Sequence, residues 1–144
     1  MRRAHPALPL LLLPLLWLPH AARADDLVVI VNAGSHVHSL TRDQVIDIFM
    51  GRYRQLPSGA TALPIDVDDP SERQTFYERL VHKNLAEIGS YWARLVFSGQ
   101  ATPPFRAPDS RAALKLVATN PDAIAYCYRS AVTGRVKVVL DLKP

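Results

Sequence analysis

Five consecutive apolar residues, Leu27-Val28-Val29-Ile30-Val31, run without a polar interruption into the turn-forming stretch Asn32-Ala33-Gly34-Ser35. Successive side chains of a strand point to opposite faces, so a strand that is wet on one side alternates. This one does not alternate, and four of its five residues are β-branched. It therefore predicts a strand inside a sheet with further structure packed on both faces, which requires an α/β layered fold.

The rest of the chain supplies those layers. Thr41, with Gln44 three residues on, forms a capping box, and Val45, Ile46, Phe49 and Met50 make a helical stripe that Gly51 ends. Leu63, Ile65 and Val67 alternate with Pro64 and Asp66 as a short strand, and a helix with inner face Phe76, Tyr77, Leu80 and Val81 is expected after Ser71. A second helical run from Asn84 aligns Leu85, Ile88, Trp92, Leu95 and Val96 until Ser98-Gly99 stops it. Thr102-Pro103-Pro104 and Pro108 predict an irregular stretch. Asp109 or Ser110 caps a further helix carrying Ala113, Leu116 and Val117, which Asn120-Pro121 terminates. Two strands close the sequence: Ala123 to Tyr128, small on one face and large on the other, and a strand in which Val136, Val138 and Leu140 alternate. The expected architecture is an α/β layered domain, a mainly parallel or mixed sheet flanked by helices, over residues 25–144.

Residues 1–24 have a different composition. Arg2 and Arg3 precede an apolar run from Ala7 to Pro19, followed by Ala22-Arg23-Ala24, the three zones of a signal peptide with an A-x-A cleavage site. The run would rise only about 20 Å as a helix, short of the roughly 30 Å hydrocarbon core, and Pro9, Pro14 and Pro19 interrupt it. Cleavage after Ala24 and export to the periplasm are expected. The only cysteine, Cys127, does not follow the cleavage site, so no lipid or other membrane anchor is expected. A lone thiol cannot form an internal disulfide, which leaves stability to the core. Cys127 itself reads as a buried, inert thiol.

The net charge of +4 leans on that segment: without Arg2, Arg3 and Arg23, fourteen basic residues face thirteen acidic ones. A nucleic-acid partner is disfavoured.

Sites are sparse. The junction of the Leu63 to Val67 strand with the following helix brings a helix N-terminus, the Ser71 hydroxyl and the Arg73 guanidinium into one turn, the chemistry that holds an oxyanion. The plainer reading is an ordinary N-cap with a solvated arginine, and Asp68, Asp69 and Glu72 oppose an anion. His36 and His38 are two apart, but a third metal ligand at suitable spacing is not evident, so no metal and no cofactor are expected. There is no G-x-S-x-G, H-E-x-x-H or P-loop pattern, which argues against an enzyme. Tyr77 and Trp92 read as core, and Tyr53, in the basic turn Gly51-Arg52-Tyr53-Arg54, as a weak site candidate.

Leu40-Thr41-Arg42-Asp43-Gln44-Val45-Ile46-Asp47-Ile48-Phe49-Met50-Gly51-Arg52 resembles the L-S-x-x-Q-L-x-x-I-F-x-G-K block of the phosphate-type substrate-binding proteins of ABC importers, in the type 2 periplasmic-binding superfamily. Arg73-Gln74-Thr75-Phe76, Tyr91-Trp92-Ala93-Arg94, Val96-Phe97-Ser98-Gly99 and Pro121-Asp122-Ala123-Ile124-Ala125-Tyr126 extend the similarity. The last of these looks like the family's P-G-A-I-G-Y. The resemblance implies one lobe of such a protein, a short member, binding a small oxyanion such as phosphate for an ABC importer. In place of the family's S-G-T, this chain has Pro70-Ser71-Glu72, which leaves Ser71 and Arg73 as the implied ligand contacts. The alternative is a cell-envelope interaction module that has lost the ligand and meets another envelope protein.

Overall fold

Residues 26–144 are described by the computed structural model, so the expected export segment lies outside them. The apolar run forms β1 (Leu27–Asn32), with Leu27 to Val31 almost completely buried. Then follow α1 (Arg42–Phe49), β2 (Leu63–Val67), α2 (Pro70–Val81), α3 (Leu85–Phe97), β3 (Phe105–Ala107), α4 (Ser110–Thr119), β4 (Ala123–Tyr128) and β5 (Val136–Leu142). Among the described residues no helix is long and apolar enough to cross a membrane.

The five strands form one sheet in the order β3-β2-β4-β1-β5, with β1 deep inside it as its composition requires. β2 pairs parallel with β3 and β4, whereas β1 runs antiparallel to β4 and β5. The sheet is mixed. Helix α4 packs on strands, while α2 packs on α1, α3 and β2, so both faces are covered. On the α1/α2 side, Phe76 stacks on Tyr126 at 3.7 Å between ring centroids and Phe49 meets Phe76 edge-on at 4.8 Å.

Local signals place the ends. Thr41 and Gln44 exchange the two bonds of a capping box, and Gly51 leaves α1 with φ +69°. Asn84 and Glu87 form a second box at α3, and Asp109 caps α4.

Three expectations change. The stretch read as irregular contains β3, three residues paired with Ile65 to Val67, too short between Pro104 and Pro108 to show a period. In β5 the buried residues are Val136, Val139 and Leu142, because a bulge at Val29/Ile30 drops Val139 out of register and switches the face that follows. Helix α2 begins ahead of Ser71: Asp69 is the N-cap and Pro70 occupies the first turn.

Candidate functional site

The site is built on a buried carboxylate. Asp66 sits on β2, on the face opposite Ile65 and Val67, and is almost fully enclosed. Its Oδ1 accepts from the Val67 N–H at 2.9 Å and from the Tyr126 hydroxyl, and its Oδ2 accepts from Arg73 Nε at 2.7 Å and the Tyr77 hydroxyl at 3.0 Å. Four donors suit an ionised carboxylate, an acceptor-only group that is costly to bury without partners. Burial, with the charge of Asp66, pushes both tyrosine hydroxyls well above their usual range, so they stay protonated donors.

Arg73 is fixed by this network. Burial works to lower its pKa, but the hydrogen bond and charge of Asp66 outweigh burial and raise it. Its guanidinium lies 5.4 Å from the centroid of the Tyr77 ring. Only Nε is engaged by the carboxylate, and the two terminal nitrogens carry no bond to another described residue. The result is a planar cation whose donor fork is oriented from behind and open in front.

In front of it lies a cleft of about 240 Å³ between β2, α2, α3 and the segment leading into β3. Asp66 and Arg73 form one side with Arg106, which stands opposite Asp66 in the β2–β3 register. Gly89 and Trp92 of α3 form another side, and Pro103 and Pro104 complete the rim. Arg106 reaches Asp68 at 3.4 Å across exposed surface, a contact worth at most about 1 kcal/mol. Trp92 is only 6% exposed, and its indole N–H is buried without an acceptor among the described residues.

Parallel strands β2 and β3 lead at their carboxyl ends into α2 and α4 on opposite faces of the sheet, which opens the crevice where α/β folds ordinarily bind ligands. Here that crevice is occupied by Glu72. Its side chain, 7% exposed, accepts a hydrogen bond from the Ser110 hydroxyl at the start of α4 through Oε2, while Oε1 is buried without a partner among the described residues. Burial raises its pKa, the Ser110 bond opposes that, and Asp69 adds to it. Glu72 thus turns away from Arg73 and toward α4, rather than standing beside the arginine as the linear sequence suggested.

Ser71 and Arg73 are also separated. Two residues apart on a helix are about 200° apart around its axis. Ser71 is exposed and is not among the residues lining the cleft, and its carbonyl accepts from the Thr75 hydroxyl at 2.9 Å. The Asp69 carboxylate takes the Glu72 N–H at 2.8 Å, and Arg73 N–H binds the Asp69 carbonyl, so the first turn of α2 keeps few donors to offer.

Other candidates lie apart from the cleft. His36 and His38 are exposed, and among the described residues no three His, Cys, Asp or Glu side chains cluster to hold a metal. Tyr53 is exposed and donates to Gln55 Oε1 at 2.7 Å. Cys127 is buried, and burial with the nearby charge of Glu72 pushes its thiol up to about 12. A larger groove of about 410 Å³ along Lys83, Glu87, Tyr91 and Arg94 is walled almost wholly by exposed side chains. Sequence reasoning missed Asp66, Arg106 and Gly89 as site residues and took Tyr77 for core alone. The one available signal was Asp66, an acidic residue at an inward position between Ile65 and Val67.

No family profile matches the chain, and no curated protein sequence does either. Solved structures that share its fold include three described as follows. One, from Clostridium perfringens, is assigned as a phosphate ABC transporter substrate-binding protein with bound phosphate; it aligns at 23% identity and TM-score 0.63, over 80% of this chain and 44% of its own. An ABC-type phosphate transport receptor from Vibrio cholerae aligns at 18% identity and TM-score 0.63, over 80% of this chain and 45% of its own. A protein from Planctomyces limnophilus DSM 3776, described as a candidate phosphate-binding protein, aligns at 12% identity and TM-score 0.52, over 80% of this chain and 40% of its own. The chain therefore has the fold of one lobe of such proteins and spans less than half of their length.

Proposed function

We propose that this chain is an exported, non-catalytic solute-binding domain that takes a small oxyanion in the cleft beneath Arg73, with phosphate the first candidate and an ABC importer the partner to which it would deliver. The observation that carries the reading is the Arg73 guanidinium, tied by Nε to Asp66 and leaving its terminal fork free on a cleft that also holds Arg106. Pre-orientation matters because an arginine already immobilised loses less side-chain freedom when it binds. The likeness to one lobe of phosphate-binding proteins supports the same class of ligand. Residues 1–24 are the export signal in this reading, and residues 25–144 the working domain.

Melting the protein against a panel of phosphate, sulfate and small carboxylates tests it, since a ligand at 100 times its dissociation constant stabilises by about 2.7 kcal/mol. A rise in melting temperature with at least one anion is expected. No shift with any anion would favour the second reading, an envelope interaction module. Two observations speak for that one: Glu72 occupies the crevice at the strand ends, and α3 ends in Phe97, which is 96% exposed.

A further inference from the structure

Gly89 stands within α3, where glycine is among the least favourable residues for a helix. Nothing local requires it. Its φ is not left-handed, and a Cβ built there meets no atom within 4 Å. Gly89 is exposed and is one of the residues that line the cleft beneath Arg73. The opposite case is Gly51, where a Cβ would come within 2.7 Å of Trp92 and φ is +69°.

The cleft volume of about 240 Å³ is more than one small inorganic anion fills. Its lining is divided. Arg73 is paired with Asp66 and Arg106 with Asp68, so the two positive charges at the cleft stand against two negative ones, a balance that disfavours a multiply charged phosphate more than a monoanion. Gly89, Trp92, Pro103 and Pro104 offer an apolar wall with no charge on it, and the cleft-lining Trp92 has an indole N–H that lacks an acceptor.

Resting on the oxyanion reading above, we propose that the ligand is a small organic monocarboxylate: its carboxylate lies on the Arg73 fork, its flat apolar body lies against α3 and the two prolines, and Gly89 is the residue that leaves room for that body. The paired oxygens of a carboxylate match the guanidinium fork, and a ring gains from burial against the indole.

Calorimetric titration of the full chain with benzoate, acetate and inorganic phosphate tests this. Benzoate is expected to bind about tenfold or more tighter than either of the others, the gain from burying a ring. Gly89→Leu fills the cleft and is expected to lower benzoate affinity by about tenfold, with acetate little changed and no loss of melting temperature. Tighter binding of phosphate than of benzoate overturns the inference and leaves the oxyanion reading standing. Failure of all three probes overturns both. Benzoate binding that ignores Gly89→Leu overturns this placement, and so does a lowered melting temperature in both Gly89→Ala and Gly89→Leu, since the helix itself would then need the glycine.

Discussion

Arg73 balances the buried charge of Asp66 through one nitrogen and lines the cleft from a half-buried face of α2. Removing it would leave Asp66 short of its cation, and breaking a buried pair in this way typically costs about 3–5 kcal/mol. From the sequence alone, Arg73 was legible as a candidate contact but its partner Asp66 was not, because an inward acid gains its meaning only once Tyr77 and Tyr126 converge on it from two other elements. Ser71 lies off this cleft because positions two apart on a helix diverge around its axis. Glu72 yields a pH prediction. Burial holds its folded pKa above the unfolded value, so the native chain keeps this proton to higher pH than the unfolded one, and stability present at low pH is lost as pH rises through the folded value. Glu72→Gln keeps an acceptor for Ser110 and is expected to raise the melting temperature at pH 7 while changing it little near pH 4. Parallel pH profiles for the two proteins would contradict this. Cys127, buried and with its thiol pushed up to about 12, is expected to ignore thiol reagents at pH 8 until denaturant is added; fast labelling of the native protein would refute that.

At the scale of elements, the helix ends were the most legible feature. Thr41 with Gln44, Gly51, Asp109 and the Asn120-Pro121 stop all act through contacts within a few residues, which is why a linear sequence displays them. What sequence could not display is pairing between distant strands. Strand β3 exists because Ile65 to Val67 offer an edge to Phe105 to Ala107, and the bulge that turns Val139 inward depends on the register with β1. The order of the sheet is equally non-local, since β4 separates β2 from β1. Trp92 shows how an element can serve both core and site: it packs under Gly51 at the end of α1 and also lines the cleft. Gly51→Ala would force a left-handed non-glycine residue and a contact with the indole at 2.7 Å. The expected loss is about 2 kcal/mol or more in urea unfolding, together with weaker anion binding as Trp92 shifts. Unchanged stability would mean that the indole and the turn yield more easily than this packing implies.

For the whole molecule, the β-branched run of β1 was enough to indicate sheet, layers and class, because a strand dry on both faces has few other homes. The solved structures that share the fold are more than twice as long as the part this chain matches, 80% of this chain covering 44% and 45% of theirs. Export is tested apart from binding: the protein recovered from a periplasmic fraction is expected to begin at Asp25, and a sequence beginning at Met1 would contradict the assignment of residues 1–24. Whether the Arg73 fork holds the anion is decided most directly by measuring, for the anion that raises the melting temperature most, the affinities of the unaltered protein, Arg73→Lys and Ser71→Ala. Lysine keeps a cation beside Asp66 but loses the fork, so affinity should fall about tenfold or more, while Ser71→Ala should leave it within about twofold. Equal affinity in the unaltered protein and Arg73→Lys, or a large loss in Ser71→Ala, would place the anion elsewhere than the cleft.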